Sequence, residues 1–433
     1  MSKAAKGARG EALEVRIEAL GGRGDGIARL DDGSRLFVAG ALPGERVLVR
    51  PERHKGEQRA RLTAVLAAAP ERVEPPCPHF GHCGGCRLQH LALPAYAEFL
   101  EQRIRAALAA RGFQDVPIEP VELSPPASRR RLRLAWRRVG KSVVLGLREA
   151  RSPRIVDLST CLIARPALVA LLSPLRTLLA ALGTAEGEIA LEDSETRVDV
   201  VVITQKPLAT PDRIRLAAAL PELPGVCRIS WRSAAGRESE PVATAAVPFT
   251  QHGPIRIELA PGGFRQATDA GLAAMRRFLN RHLAGARHVL DLYGGTGALG
   301  LALDPLPARL EVVEGDQAAT ATLARALGQG IRGSRVTVRH RDLERDPLQP
   351  AELRAVDAVI LDPPRAGARP QCLALAGSRV GRIGYVSCDS GSFARDARIL
   401  VEGGYQLAGV QPIGQFLWSD EVELAAIFHR EPA

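Results

Sequence analysis

Cys388 stands in the segment 385–389 (YVSCD), which predicts a cysteine at the carboxyl end of an apolar strand. A single cysteine in such a place is more often a packing residue than a nucleophile. One reaction that would use a cysteine as a nucleophile is methylation of carbon 5 of a pyrimidine, because that carbon reacts only after another group has added to carbon 6. A thiolate is the usual adduct-former. A base must then remove the carbon 5 proton, and the tail offers the carboxylates Asp420, Glu421 and Glu423.

A second candidate site is the glycine-rich segment 289–300 (VLDLYGGTGALG), which predicts a strand, a tight turn and a helix. The G-x-G-x-x-G pattern at 295–300 formally matches a dinucleotide fingerprint, and Glu314 at the end of the next strand could hold ribose hydroxyls. Asp291 would repel a pyrophosphate but suits a ligand with an ammonium group. The segment therefore favours S-adenosylmethionine, and a packing turn without a ligand is the alternative.

A third candidate is the segment 361–365 (LDPPR), in which two prolines stiffen a loop after a strand. Enzymes that methylate exocyclic amines use a similar Asp-Pro-Pro followed by an aromatic residue. Arg365 takes the aromatic position here, which counts against an amino group as the target.

The seven cysteines predict metal binding or catalysis rather than disulfides, because three of them fall within ten residues. Cys77, Cys83 and Cys86 are separated by glycines that let the backbone wrap closely around a ligand. Zinc and an iron–sulfur cluster both suit such thiolates, and spacing alone does not choose between them.

The elements that must position these residues fall into three parts. Short apolar stretches and Asp-Gly turns over 13–66 predict a small β-barrel. Its last third, which includes His54 and Lys55, is basic, and a solvated charged edge is the simpler interpretation. Residues 121–259 are mostly strand-like, and after 285 strands and helices alternate as in a parallel α/β domain.

The 433 residues carry a net charge of +10, which favours a polyanionic partner, with nucleic acid ahead of an acidic membrane surface. No apolar run approaches the roughly 20 residues of a membrane span. Residues 1–10 lack the apolar core of a secretory signal. We therefore expect a cytoplasmic protein that does not enter the membrane.

Taken together, these motifs resemble the iron–sulfur RNA 5-methyluridine methyltransferases with an N-terminal TRAM domain. Segment 37–45 (FVAGALPGE) is similar to a TRAM barrel, and the cysteine spacing is similar to the family's four-cysteine [4Fe–4S] site. The resemblance implies an all-β, OB-like TRAM RNA-binding barrel over 1–68. It also implies a central, mainly β cluster-bearing domain over 69–262 and a Rossmann-like α/β methyltransferase domain over 263–433.

The resemblance assigns a role to each matching residue. It implies that Cys388 is the nucleophile and Glu423 the base. The implied S-adenosylmethionine contacts are Gln266, Tyr293, Glu314, Asp342 and Asp362, and the implied cluster ligands are Cys77, Cys83, Cys86 and Cys161.

The chain departs from the family pattern at three places. Asp389-Ser390 replaces Asn-Pro after the nucleophile, Glu421 replaces a common His, and Ala298 replaces a common Asn. A negative Asp389 is expected to raise the pKa of the thiol unless an arginine such as Arg395 compensates.

The expected activity is methyl transfer to carbon 5 of a flipped-out uridine in structured RNA, with ribosomal RNA favoured over transfer RNA. No obligate protein partner is evident. A transfer RNA uridine methyltransferase, a cytosine or amino-group RNA methyltransferase, and a catalytically decayed RNA-binding cluster protein are the alternatives.

Overall fold

The computed structural model describes residues 12–53, 56–194, 197–253, 255–330 and 335–430. Residues 1–10, expected to lack a signal, and His54 and Lys55 of the basic stretch lie outside this part. The chain forms two compact units, one of Met1–Arg103 with Trp418–Asp420 and the other of Ile104–Leu417 with Glu421–Ala433. The predicted three-part division, with boundaries at residues 68 and 262, remains a prediction.

The first unit contains a closed β-barrel of five strands. They are β1 (Leu13–Leu20), β2 (Asp25–Arg29), β3 (Arg35–Ala39), β4 (Arg46–Arg53) and β5 (Gln58–Ala67). Their order is β1-β2-β3-β5-β4, and antiparallel pairing of β1 with β4 closes the barrel. Alternation along β1 explains the core, because Val15 and Ile17 are buried while Arg16 and Glu18 are exposed. The expected all-β barrel is confirmed.

Helix α1 (Leu93–Ala109) follows a long irregular segment that carries three cysteines. Tyr96, Leu100, Ile104 and Leu108 recur every four residues and all four are buried, as their spacing predicts.

The second unit begins with a mainly β region. Its elements are β6 (Glu122–Leu123), β7 (Arg131–Val139), β8 (Ser142–Gly146), α2 (Pro166–Val169), α3 (Leu172–Ala181), β9 (Glu186–Asp193), β10 (Val198–Thr204), α4 (Thr210–Ala219), β11 (Val226–Ser233), β12 (Glu240–Thr244), β13 (Phe249–His252) and β14 (Ile255–Glu258). Six of the strands form a sheet in the order β12-β11-β10-β9-β7-β8, and β13 pairs with β14. The strand pattern anticipated most of this region but missed its three helices.

The rest of the unit is an α/β layer. Its elements are α5 (Asp269–Leu283), β15 (His288–Leu292), β16 (Arg309–Glu314), α6 (Gln317–Gly330), β17 (Val336–His340), β18 (Ala358–Leu361), α7 (Arg369–Ala376), β19 (Arg382–Ser387), α8 (Ser390–Glu402), β20 (Gln406–Gly414) and β21 (Glu423–His429). They build an eight-stranded sheet in the order β17-β16-β15-β18-β19-β21-β20-β6.

Strands β15 to β19 are mutually parallel, so their carboxyl ends meet at one edge of the sheet. Their continuous apolar runs suit strands buried on both faces. Strand β21 runs antiparallel to β19, with Leu424 opposite Ser387, and this brings the beginning of β21 to the same edge. The predicted Rossmann-like α/β architecture is confirmed.

Helix α5 closes one face of this sheet. Thr268 caps it by accepting a hydrogen bond from the Gly271 N–H at 3.0 Å, and Met275 and Leu279 of its apolar stripe are buried in the core. Among the described residues, no helix is long and apolar enough to cross a membrane.

Candidate active site

The glycine-rich turn follows β15 as predicted, and it needs unusual backbone angles. Tyr293, Gly295 and Gly297 all have positive φ values, at 59°, 54° and 80°. The Gly295 N–H donates to Glu314 Oε2 at 2.9 Å, and the Asp316 N–H donates to Glu314 Oε1 at 2.7 Å. Glu314 thus ties the turn to the end of β16.

The element after this turn differs from the prediction. A 3₁₀ helix of three residues, Gly300–Ala302, stands where an α-helix was expected. Pro305 and Pro307 follow closely and cannot continue a helix, because proline lacks the N–H and clashes with the preceding turn.

Asp291 is fully buried beneath the turn. Its Oδ2 accepts a hydrogen bond from the Gly300 N–H at 2.9 Å, and a Cβ at residue 294 would lie 2.9 Å from its Cγ. Burial raises the pKa of Asp291 to about 7, and the charge of Glu314 adds to the rise. The predicted contact with an ammonium group remains a prediction, whereas the observed contacts give Asp291 a role in shaping the turn.

The turn has a further support that the sequence did not single out. Arg276 of α5 donates to the Ala298 carbonyl at 2.9 Å and contacts His252 Nδ1 at the same distance. His252 Nε2 lies 3.4 Å from Thr296 Oγ1. Burial, followed by the charge of Arg276, lowers the pKa of His252 to about 3, so this side chain stays neutral. No local motif marks a buried histidine in a hairpin for such a position.

The remaining predicted cofactor residues lie at the ends of neighbouring strands. Tyr293 donates to Glu344 Oε1 at 3.1 Å, and burial raises the pKa of its hydroxyl. Asp342 follows β17, accepts from the Glu344 N–H at 3.1 Å and has an exposed side chain. Asp362 follows β18 and is partly buried.

A chain of hydrogen bonds links two predicted cofactor residues to the predicted base. Gln266 Nε2 donates to Asp362 Oδ2 at 3.2 Å, and Gln415 Nε2 donates to Gln266 Oε1 at 3.0 Å. The amide of Gln415 also donates to the Glu423 carboxylate. Gln415 is the central member of this chain, and it was missed because glutamine after a strand has no diagnostic spacing.

The two carboxyl groups at the ends of this hydrogen-bonded chain, Asp362 and Glu423, have raised pKa values. Burial raises the pKa of Glu423 to about 7, and the hydrogen bond from Gln415 opposes the rise. Burial and then the charge of Glu423 raise the pKa of Asp362 well above its usual value. A carboxyl group with a pKa near neutrality can both accept and return a proton, as a general base must.

Cys388 lies at the end of β19 and is half-buried. Burial raises the pKa of its thiol to about 11, and the charges of Glu423 and Asp362 contribute, while Arg365 opposes them. The structure therefore brings the predicted nucleophile, the predicted base and Asp362 into one electrostatic environment.

An arginine does lie beside Asp389, but it is not Arg395, the example that the sequence suggested. The cation beside Asp389 is Arg365, at 3.6 Å, and Arg365 also pairs with Glu421 at 3.4 Å. Arg395 instead pairs with Asp396 at 2.7 Å. Asp389 caps the start of α8 by accepting a hydrogen bond from the Ser392 N–H at 2.8 Å. Arg395 lies six residues further along the same helix, and side chains on a helix face each other only when they are three or four residues apart.

The cysteine-rich segment lies in the first unit and holds three of the four predicted ligands. Cys77, Cys83 and Cys86 are partly buried, and the Gly85 N–H donates to Cys83 Sγ at 3.4 Å. Cys161 belongs to the second unit and is also partly buried. The described residues include all seven cysteines and show no disulfide, and no group of three or more metal-ligating side chains stands out in that part of the chain. A set of thiols with a backbone N–H directed at one of the sulfur atoms chemically suits an iron–sulfur cluster or zinc.

Comparison with known proteins shows which proteins this fold resembles. A family model described as TRAM domain matches residues 7–54. A solved structure of the tRNA (uracil-54, C5)-methyltransferase of Pyrococcus abyssi, in complex with S-adenosyl-L-homocysteine, is similar with a TM-score of 0.72 and 21% identity. It covers 96% of this chain and 100% of its own.

Sequence relatives then establish the family. An uncharacterized RNA methyltransferase of Mesorhizobium japonicum is 38% identical over 96% of this chain and 97% of its own length. The 23S rRNA (uracil(1939)-C(5))-methyltransferase RlmD of Chromohalobacter salexigens is 35% identical over 91% of this chain and 84% of its own. The chain belongs to this family of RNA methyltransferases, and the prediction that it is an enzyme is confirmed.

Proposed function

We propose that this enzyme transfers a methyl group from S-adenosylmethionine to carbon 5 of a uridine in structured RNA, with 23S ribosomal RNA as the favoured substrate. The observation that carries the proposal is the hydrogen-bonded chain Asp362, Gln266, Gln415 and Glu423, whose two terminal carboxyl groups both contribute to the raised pKa of the Cys388 thiol. The 23S rRNA enzyme among the relatives supports the choice of RNA. A cytoplasmic place of action follows from this substrate and is part of the proposal.

S-adenosylmethionine would supply an electrophilic methyl group on its sulfonium. Gln266, Tyr293, Glu314, Asp342 and Asp362 are the residues that would hold it. The Glu314 carboxylate already accepts a hydrogen bond from the Gly295 N–H of the glycine turn, and the charge of Glu423 raises the pKa of Asp362. These residues bind and orient, and the bond-making step falls to Cys388.

The Cys388 thiol releases its proton to water and its sulfur bonds to carbon 6 of the uracil ring. The electron pair of the carbon 5–carbon 6 double bond moves toward the carbon 4 oxygen as an enolate, which makes carbon 5 nucleophilic. Carbon 5 then bonds to the methyl group while the bond from that methyl to the sulfonium sulfur breaks, so a neutral thioether is the leaving group. Glu423 then removes the carbon 5 proton, the carbon 5–carbon 6 double bond re-forms, and the carbon–sulfur bond breaks to release Cys388. Because the thiol pKa is about 11, the thiol is protonated at neutral pH until substrate binding changes its surroundings.

A nucleoside analysis tests the reaction. Anaerobically purified enzyme is incubated with unmodified 23S rRNA or tRNA transcripts and methyl-labelled S-adenosylmethionine, and the digested nucleosides are identified by mass. We expect labelled 5-methyluridine from the 23S transcript and none with Cys388→Ala. Label on cytidine or adenosine would move the assignment to a cytosine or amino-group enzyme. RNA binding without label would indicate a decayed catalytic site.

We also propose that Cys77, Cys83, Cys86 and Cys161 hold a [4Fe–4S] cluster. The donor set and the N–H directed at Cys83 Sγ support this proposal, and zinc is the competing metal. Metal and acid-labile sulfide analysis of anaerobically purified protein separates the two. Equimolar iron and sulfide, reduced by Cys161→Ser, is the expected result, whereas zinc without sulfide would overturn the proposal.

A further inference from the structure

The loop 363–368, which carries Arg365, is fixed from outside by two consecutive residues of α8. Asp396 Oδ2 accepts a hydrogen bond from the Ala368 N–H at 2.7 Å, and Arg395 Nη2 donates to the Ala366 carbonyl at 2.8 Å. The backbone groups on both sides of Gly367 are therefore held by side chains from a different element.

Gly367 shows how closely loop and helix fit. Its φ of 84° favours glycine, and a Cβ at this position would overlap Asp396 Oδ2 and lie 2.6 Å from Arg395 Nη2. The loop consequently approaches the helix more closely than any other residue type would permit.

Asp396 joins this loop to the strand that leads to the nucleophile. The carboxylate is fully buried and also accepts from the Tyr385 hydroxyl at 2.8 Å and from Arg395 Nε at 2.9 Å. Tyr385 lies in β19, three residues before Cys388. A buried carboxylate with its donors in place is costly to disturb, because removing one partner leaves a polar group unsatisfied.

We propose that Asp396 and Arg395 are positioning residues of the methyl-transfer site, which hold the loop 363–368 so that Arg365 stays beside Cys388. This inference rests on the proposed function for its catalytic consequence. The place of Arg365 is visible in its 3.6 Å contact with Asp389, the residue that follows Cys388. Neither Asp396 nor Arg395 needs to touch RNA or S-adenosylmethionine for this role.

Displacement of the loop has a predictable effect on the thiol. Arg365 is the cation that lowers the pKa of Cys388 against burial, Glu423 and Asp362. A loop that moves away therefore leaves the thiol harder to ionise. Both the alkylation of Cys388 and its attack on uracil should become slower at a given pH.

The test uses Asp396→Asn, Arg395→Met and Arg395→Lys in the full-length enzyme. Arg398→Met is the matched control, because Arg398 lies on the same helix but pairs with Glu402 on its surface. Three quantities are measured for each: kcat and KM for RNA, the affinity for S-adenosylmethionine, and the rate of Cys388 alkylation against pH, followed by peptide mass spectrometry.

We expect Asp396→Asn and Arg395→Met to lower kcat by about tenfold or more and to shift the alkylation profile of Cys388 to higher pH, since small displacements of reacting groups are costly. Cofactor affinity should stay close to that of the wild type, Arg395→Lys should recover part of the loss, and Arg398→Met should match the wild type.

Unchanged kcat and alkylation in folded Asp396→Asn and Arg395→Met would overturn the inference. So would equal losses in kcat, cofactor affinity and melting temperature, because these would indicate general destabilisation. If Asp396→Asn fails to fold, Tyr385→Phe removes one partner of the same carboxylate and supplies the second variant. Failure of the wild type to make 5-methyluridine would refute the proposed function alone, because the alkylation profile reports on loop position without RNA.

Discussion

At the scale of single residues, the site depends on two groups whose pKa values are raised by burial, the Glu423 carboxyl and the Cys388 thiol. Glu423 has a pKa of about 7 and the Cys388 thiol about 11, and in both cases burial is the largest cause. The mechanism needs Glu423 as the anion and Cys388 as the thiolate at different moments. Their mutual repulsion keeps both from being charged together before substrate binds.

Removal of the base should trap the covalent intermediate. In Glu423→Gln, Cys388 can still add to carbon 6 and methyl transfer can follow, but the carbon 5 proton stays in place. We expect turnover to fall by about 10²- to 10⁴-fold and a protein–RNA adduct to persist on a denaturing gel. Glu402→Gln, which changes an exposed ion-paired carboxylate of α8, is the control. A normal rate of product release from Glu423→Gln would assign the base elsewhere.

The same substitution should make the resting thiol more reactive. The negative charge of Glu423 raises the pKa of Cys388, so its removal lowers that pKa and increases the thiolate fraction. We expect faster alkylation of Cys388 in Glu423→Gln than in the wild type above about pH 8, where Glu423 is ionised in the wild type. Peptide mass spectrometry separates Cys388 from the other cysteines, and an unchanged rate would contradict the electrostatic coupling.

At the scale of elements, the buried Asp291 carboxyl that shapes the turn after β15 makes the free energy of unfolding depend on pH. Asp291 has a pKa of about 7 in the folded protein against 3.8 for an exposed carboxyl, so the folded state binds the proton more tightly. Between these two values the folded protein holds a proton that the unfolded chain has released. The free energy of unfolding must therefore fall as the pH rises through this window.

Asp291→Asn should remove part of that pH dependence. The amide keeps an oxygen for the Gly300 N–H but has no charge to bury, so the fall in stability between about pH 4 and 7 should become shallower, by at most about 1.4 kcal/mol per pH unit. Melting temperatures measured across this range test the point. Asp316→Asn, an exposed carboxylate in the turn that follows β16, is the control. Identical slopes for Asp291→Asn and the wild type would show that Asp291 does not carry the effect.

At the scale of the whole molecule, the net charge of +10 favours a polyanionic partner such as RNA. The barrel is a candidate for RNA contact. Arg50 of β4 lies directly opposite Arg61 of β5, and like charges in this position disfavour the sheet. A phosphate backbone beside the pair would offset that repulsion.

Neutralisation of this pair should weaken RNA binding in a salt-dependent way. For Arg50→Gln with Arg61→Gln, the slope of log affinity against log salt should decrease by about 1.4 to 1.8, because each of the two lost phosphate contacts contributes roughly 0.7 to 0.9. The control is Arg213→Gln with Arg398→Gln, which removes two charges that have acidic partners. An equal change of the slope in both double variants would show that the net charge, and not the Arg50–Arg61 pair, determines the salt dependence.

The sequence by itself determined the parallel sheet and the residue types at the carboxyl ends of its strands. The reason is that the spacing of apolar residues, the glycine turns and the strand ends are local properties of the chain. Strands β15, β16, β18 and β19 lie where their patterns predict them. Only the tertiary structure decided which groups meet. Gln415 reaches Gln266 across 149 positions, and Asp389 contacts Arg365 rather than Arg395. Such pairings, like the pKa values that burial sets, depend on packing between distant segments, which no local pattern encodes.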